Sequence, residues 1–226
     1  MKYINILLGL LGLFCWILAY VLIISRGIKD RTYGIPLIPL ALNFGWEFVY
    51  TFCFPFSLYS QLTTALWFFS DLGIVYTYFK YGYSSFNKYY HLEKKQWYCI
   101  SVFAFLISFL IIFFGHKFFL QYLNNFSSQE VPAFIAWLIL MITPICMLAM
   151  FFQRGNSQGQ SFIIVGLMIL GNFFYIVQFF IHPFYYKWGN PFLVLIISIS
   201  IVVEFYYAKL LYKRLIKEGV NPWKRF

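Results

Sequence analysis

Apolar residues occur along this chain in seven long stretches separated by short polar segments. A helix needs about 20 apolar residues to cross the bilayer, and these stretches approach that length. The sequence lacks the alternation of apolar and polar positions that would mark membrane strands. The pattern predicts one all-α domain over residues 1–226, a polytopic membrane bundle of seven transmembrane helices with spans at about 3–24, 35–52, 62–79, 98–119, 132–152, 162–181 and 191–212.

The ends of these stretches are set by polar segments. The first stretch is longer than the apolar core of a secretory signal peptide and has no small-residue cleavage site, so we expect a retained helix. The separating segments fall at residues 26–31, 55–57, 88–96, 124–129, 153–160 and 182–190.

Basic residues predict the orientation of the bundle. With seven spans, alternate loops lie on opposite faces of the membrane. Lys2, Lys117 and Lys187 then share one face with the N-terminus, and the other 14 of the 17 Lys and Arg residues share the opposite face with the C-terminus. Because cytoplasmic loops are enriched in Lys and Arg, we expect the N-terminus outside and the C-terminus in the cytoplasm.

Composition excludes several classes of protein. Hydrophobic residues make up 62% of the chain and charged residues 11%, against about 45–50% and about 25% in soluble domains. A water-soluble domain and a disordered chain are both excluded. The net charge of +10 is explained by a basic face against anionic lipid headgroups, so we expect membrane lipid as a partner and no nucleic acid.

Aromatic residues make up 25% of the chain, with 30 Phe, 19 Tyr and 7 Trp. Leu and Ile would suit lipid equally well, so membrane insertion alone does not require this excess. Two explanations stay open: a genomic bias toward Phe and Tyr codons, or a cavity lined by aromatic rings, which attract cations through their quadrupoles.

Three acidic residues lie inside predicted spans: Glu47, Asp71 and Glu204. An acid in the hydrocarbon costs at least about 2.5 kcal/mol, and such residues face the bundle interior and mark functional sites. Neither Lys nor Arg occurs at matching depth, and burial without a counter-charge favours the protonated carboxyl. A buried, protonated carboxyl is a candidate proton donor, and the three acids are expected to converge on one cavity.

Polar and aromatic residues accompany these acids at helical spacing. Residues three or four apart lie on one face of a helix, which groups Asn43 and Tyr50 with Glu47, and Trp67 with Asp71. Hydrogen bonding between membrane helices is the alternative role for such polar groups. The candidates for binding substrate or stabilising a cation are Asn43, Trp46, Tyr50, Trp67, Asn172, Tyr175 and Tyr207.

Other chemistries find little support in the sequence. The three His residues lack metal-ligand spacing, so we expect no metal site and no cofactor. The last span has no deep Lys, because Lys209 is near its inner end, which disfavours a retinal Schiff base. There is also no Asp-rich motif of the kind that binds magnesium diphosphate, so a reaction on an isoprenoid would not begin by ionising a diphosphate.

The segment from residue 25 to residue 50 resembles a signature of the integral-membrane terpene cyclases of fungal meroterpenoid and indole-diterpene pathways, which have bacterial relatives. The resemblance extends over essentially the whole chain, with a second landmark at Leu66–Asp71 and an acid of the last helix at Glu204. Members often carry Asp at that last position. The first motif is Tyr-Gly-x-Pro followed by Asn-x-x-Trp-Glu-x-x-Tyr, here Tyr33, Gly34, Pro36, Asn43, Trp46, Glu47 and Tyr50.

The resemblance implies a proton-initiated cyclisation that needs no metal. An acid would protonate an epoxide or a terminal alkene of a prenyl chain, and the family pairs the acid at Glu47 with the acid at Glu204. In our own hypothesis, Asp71 orients one of these acids or helps it to retain its proton. The implied partner is a lipophilic prenylated small molecule, with a pathway prenyltransferase or epoxidase nearby, in a bacterial inner membrane or the endoplasmic reticulum.

Two other functions stay open at this point. Intramembrane acids also serve proton relays, so a small proton-coupled transporter is the alternative. Transporters often contain internal repeats and broken helices, and the sequence shows no repeat and one deep proline, Pro144. A receptor or non-catalytic scaffold ranks last because it would leave three intramembrane acids without a purpose.

Overall fold

The computed structural model describes residues 2–122, 128, 130–181 and 191–226. The described part of the chain is helical apart from short connections, and it contains no strand. A π-helical turn, Val49–Cys53, extends the second helix. The helices are α1 (Lys2–Asp30), α2 (Leu37–Phe48), α3 (Leu58–Tyr90), α4 (Lys94–Tyr122), α5 (Glu130–Arg154), α6 (Phe162–Ile181) and α7 (Pro191–Lys217).

By length and composition, five of these helices are able to cross a membrane: α1, α4, α5, α6 and α7. The second apolar helix, Leu37–Cys53, is shorter. The prediction of an all-helical membrane protein is therefore confirmed. The polar segment predicted at 182–190 and residue Lys187 lie outside the described residues, as does the segment at 124–129 except for Ser128.

Several helices run past the predicted span ends. The prediction ended the third span at Phe79, but α3 continues to Tyr90 and ends where His91 adopts a left-handed conformation. The segment predicted to close the first gap is helical as far as Asp30, and Arg26 pairs with Asp30 across one turn at 2.5 Å. Such i, i+4 pairs stabilise helical ends beyond the apolar region.

Six of the helices pack into a closed ring. In order around the ring they are α1, α3, α2, α5, α7 and α6, and α6 packs back on α1. Helix α4 lies outside this ring and packs mainly on α2. Core residues of α1, α3, α5, α6 and α7 form most of the main apolar cluster. The ring arrangement places the inward faces of α1, α2, α3, α5 and α6 around a common interior.

A proline in α5 is compensated by a neighbouring helix. Pro144 has no N–H, so it cannot donate to the carbonyl of Leu140 one turn earlier. Ser200 of α7 donates its hydroxyl to that carbonyl at 2.9 Å. In a membrane interior, such a side-chain bond replaces the missing backbone bond.

A polar network centred on Asp30 lies at the basic end of the bundle. Asp30 accepts bonds from Arg26, from Arg225 at 2.9 Å and from the backbone N–H of Gly159 at 2.8 Å. Gly159 has φ +73°, a conformation that favours glycine in this turn. The network ties the end of α1 to the α5–α6 connection and to the segment after α7.

Candidate functional site

A cavity of about 360 Å³ lies inside the ring of helices. This is within the range of about 300–1,000 Å³ that is typical of small-molecule sites. Side chains from α1, α2, α3, α5 and α6 line it, and most of the lining is apolar or aromatic. Five of the lining aromatic residues are Trp16, Trp46, Trp67, Trp137 and Tyr175.

A second, smaller cavity of about 30 Å³ adjoins the first, because Trp16, Tyr20, Asn43 and Leu140 line both. Along α3, the large cavity is bordered between Tyr59 and Trp67 and the small one at Asp71 and Ile74. The two cavities therefore lie in succession along the bundle. We call the end bordered by Phe56, Tyr59 and Gln178 the mouth, since Tyr59 is about half exposed there.

Glu47 borders the large cavity and is almost completely buried, with 1% of its surface exposed. Its Oε1 atom accepts a hydrogen bond from Tyr20 at 3.1 Å and another from Asn43 at 2.8 Å. Its Oε2 atom has no hydrogen-bond partner among the described residues. One oxygen is thus held in place by two donors, while the other makes no hydrogen bond to a described residue.

Asp71 lies beside this group on α3 and is equally buried, at 1% exposure. It borders the small cavity together with Asn43, the residue that donates to Glu47. Its Oδ2 atom also lacks a hydrogen-bond partner within the described ranges. Two like-charged carboxylates at such a site repel each other, so the pair is most stable when it holds a proton.

Glu204 lies apart from these two acids. It is buried on α7 but lines neither cavity. Its Oε1 atom accepts a bond from Asn172 at 2.6 Å, and Oδ1 of Asn172 accepts a bond from the indole of Trp16 at 3.2 Å. The three acids were expected to converge on one cavity, but Glu204 does not reach either cavity. It is linked to the cavity wall only through Asn172 and Trp16.

The remaining predicted residues divide into two groups. Asn43, Trp46, Trp67 and Tyr175 line the large cavity. Tyr50 and Tyr207 line neither cavity: the Tyr50 hydroxyl lies 3.2 Å from Nδ1 of His116, and Tyr207 donates to Oε1 of Gln160. The spacing that put Tyr50 on the face of Glu47 does not hold at this point, because the helix turns into its π-helical segment at Val49.

Sequence reasoning missed the contribution of the first helix. Trp16 and Tyr20 lie one turn apart on α1, and both line the two cavities. Their spacing was the available signal, because polar-tipped aromatic residues four apart inside a span share one face.

None of Glu47, Asp71 and Glu204 forms an ion pair with any described residue; the described pairs involve Asp30.

Chemically, this arrangement suits acid chemistry on an apolar molecule. A buried carboxyl with one oxygen fixed by two donors is oriented toward a single position. Aromatic faces stabilise a nearby cation, and an apolar lining keeps water away from a reactive intermediate.

Comparison with known proteins identifies the family of this chain. The sequence matches the family of Pyr4-like transmembrane terpene cyclases over residues 1–216. It is 26% identical over 212 residues to terpene cyclase atmB of Aspergillus flavus, which covers 86% of this chain and 82% of the relative.

Two further relatives are similar over shorter regions. Terpene cyclase pyr4 of Aspergillus fumigatus is 29% identical over 180 residues, which is 78% of this chain and 70% of the relative. Pyr4-family terpene cyclase mfmH of Annulohypoxylon moriforme is 28% identical over 151 residues, 65% of this chain and 58% of the relative. Because the family match covers nearly the whole chain, this protein belongs to the Pyr4-like transmembrane terpene cyclases.

Proposed function

We propose that this protein cyclises the prenyl chain of a lipophilic substrate by proton transfer from Glu47, without a metal. The supporting observation is the position of Glu47: it is buried, it borders the aromatic cavity, and its Oε2 atom makes no bond to a described residue. The substrate is a prenylated meroterpenoid or indole type of molecule that enters from the membrane.

The proposed reaction leaves the composition of the substrate unchanged. The Glu47 carboxyl gives its proton to an epoxide oxygen, whose C–O bond breaks, or to the end of a terminal alkene. The electrons of the next double bond then form a new C–C bond to the cationic carbon. The last cation loses a proton to the Glu47–Asp71 pair, so the product is an isomer and the enzyme ends as it began.

The neighbouring residues have separate roles in this proposal. Tyr20 and Asn43 fix Oε1 of Glu47, and Asp71 helps the pair to retain a proton. The rings of Trp46 and Trp67 are 6.0 Å apart on the cavity wall and stabilise the migrating cation. Glu204 is a positioning residue that acts through Asn172 on Trp16.

The same proposal includes a topology with seven spans. The described helices number seven, and basic residues at the end of α1 and after α7 share one network around Asp30. By the positive-inside rule, that end faces the cytoplasm. In a cysteine-free background, Ser128→Cys should react with an impermeant thiol reagent from outside, and Lys224→Cys should react only after permeabilisation; the reverse result would overturn this orientation.

The activity is tested by incubating membranes that contain the protein with prenylated phenols, prenylated indoles and their terminal epoxides. We expect a new product of unchanged mass. In D₂O, protonation of an alkene leaves one carbon-bound deuterium, whereas protonation of an epoxide leaves only exchangeable deuterium on oxygen. Proton-coupled flux in liposomes without any isomer formed would instead support the transporter alternative.

A further inference from the structure

Two buried polar groups in the cavity wall have no partner in the described part of the chain. They are the hydroxyl of Tyr175 on α6 and the indole N–H of Trp67 on α3. Their rings meet edge to face with centroids 6.1 Å apart, and both residues line the large cavity. Buried polar groups are nearly always hydrogen-bonded, and leaving one without a partner is costly. Two such groups side by side therefore indicate a ligand.

A third polar group, the hydroxyl of Tyr59, belongs to the same cavity. Tyr59 lines the cavity at its mouth, and its hydroxyl donates no bond to any described residue. A methyl group built on Gly9 would approach the Tyr59 hydroxyl and the Gln178 amide at 3.3 Å each, so these two side chains are near neighbours. The side chains of Tyr59, Trp67, Tyr175 and Gln178 therefore all bring neutral polar groups to this cavity.

Close packing fixes the position of Tyr175. A Cβ atom on Gly12 would lie only 2.7 Å from the Tyr175 ring, so α1 presses its glycine backbone against the ring. Because the ring has no room on this side, its position is fixed by α1.

The aromatic wall continues from this place to the acid. The ring of Trp67 lies 6.0 Å from that of Trp46, the residue before Glu47. A molecule that places a polar group at Tyr175 can therefore extend an apolar chain along Trp67 toward Glu47.

We propose that Tyr59, Trp67 and Tyr175 form a head-group subsite for the non-prenyl part of the substrate. This subsite binds a neutral ring that carries oxygen, such as a phenol or a lactone, through the N–H of Trp67 and the hydroxyls of Tyr175 and Tyr59. The substrate enters prenyl end first, with its terminus at Glu47 and its ring at the mouth. This inference rests on the proposed function.

The test compares two substrates of the same prenyl chain. One is the prenylated phenol that wild-type membranes cyclise, and the other carries a methyl group in place of the phenol. Tyr175→Phe removes a single hydroxyl and keeps the ring that stabilises cations, and Trp67→Phe removes the N–H. Tyr76→Phe is the matched control, because Tyr76 is an exposed residue of α3 whose hydroxyl bonds Lys80 away from the cavity.

We expect Tyr175→Phe and Trp67→Phe each to raise KM for the phenol about two- to tenfold, the effect of one lost hydrogen bond. For Tyr175→Phe, which keeps the ring, KM for the methyl-ended chain should not change, and Tyr76→Phe should affect neither substrate. Equal KM values for Tyr175→Phe and wild type with the phenol, or equal losses of Tyr175→Phe with both substrates, would overturn the subsite. If wild-type membranes cyclise neither substrate, the proposed function fails instead.

Discussion

The hydroxyl of Tyr20 lies 3.1 Å from Oε1 of Glu47, so the first helix holds the carboxyl of the second. Asn43 binds the same oxygen and also contacts the Tyr20 hydroxyl at 2.5 Å. The three side chains form a closed triangle beside the cavity. Glu47 therefore presents its other oxygen in a fixed direction.

Removing one corner of this triangle should slow the reaction without changing substrate binding. We expect Tyr20→Phe to lower kcat about tenfold, because a carboxyl held by one donor samples more orientations. KM should stay near the wild-type value, since the ring is kept. A change in KM at constant kcat would show that Tyr20 binds substrate rather than positioning Glu47.

The chain of bonds from Glu204 through Asn172 to Trp16 should behave as one unit. Glu204→Gln keeps an oxygen that accepts from Asn172, so we expect it to retain more activity than Glu204→Leu. The double variant Glu204→Leu with Asn172→Leu should lose little beyond the single changes, because contacting residues are not additive. Independent, additive losses measured in kcat/KM would contradict this linkage.

The network around Asp30 should contribute mainly to stability. Asp30→Asn leaves Arg26 and Arg225 without their shared carboxylate, and we expect a loss of about 1–3 kcal/mol, measured as a lower thermal midpoint in detergent. Glu93→Gln is the control, because Glu93 is an exposed acid that forms no described ion pair. Equal midpoints for the two variants would show that the network is dispensable.

The bond from the Ser200 hydroxyl to the carbonyl of Leu140, to which Pro144 cannot donate, offers a second test of stability. Ser200→Ala should destabilise the protein by about 1 kcal/mol, because that carbonyl then has no partner. Ser198→Ala is a matched control on the same helix, since Ser198 is exposed and bonds only within α7. A larger effect from Ser198→Ala than from Ser200→Ala would contradict the compensation.

Much of the fold could be predicted because lipid imposes a simple rule on sequence. Apolar length predicted an all-helical membrane protein, and the ends of α6 agree with the predicted span. The ends of α1 and α3 differ, since their last turns are polar and are stabilised by side-chain contacts rather than by lipid. Hydropathy carries no information about such contacts.

Only part of the site could be predicted from the sequence. Helical spacing predicted Asn43 and Glu47 on one face of the second helix, and the intramembrane acids were expected to converge on one cavity. The structure brings Asn43, Glu47 and Asp71 to the two adjoining cavities, but not Glu204. Which helices are neighbours is not encoded in spacing along a single helix. For this reason Tyr20 was missed, and Glu204 lies behind Trp16 rather than at the cavity.

The most direct test of the proposed reaction is the turnover of Glu47→Gln in membranes. Gln is of similar size and can still accept from Tyr20 and Asn43, but it cannot donate an acidic proton. With an unchanged thermal midpoint, we expect product formation to fall about a thousandfold, in the middle of the range for general acid catalysis. Turnover within a few-fold of wild type by this folded variant would contradict the account.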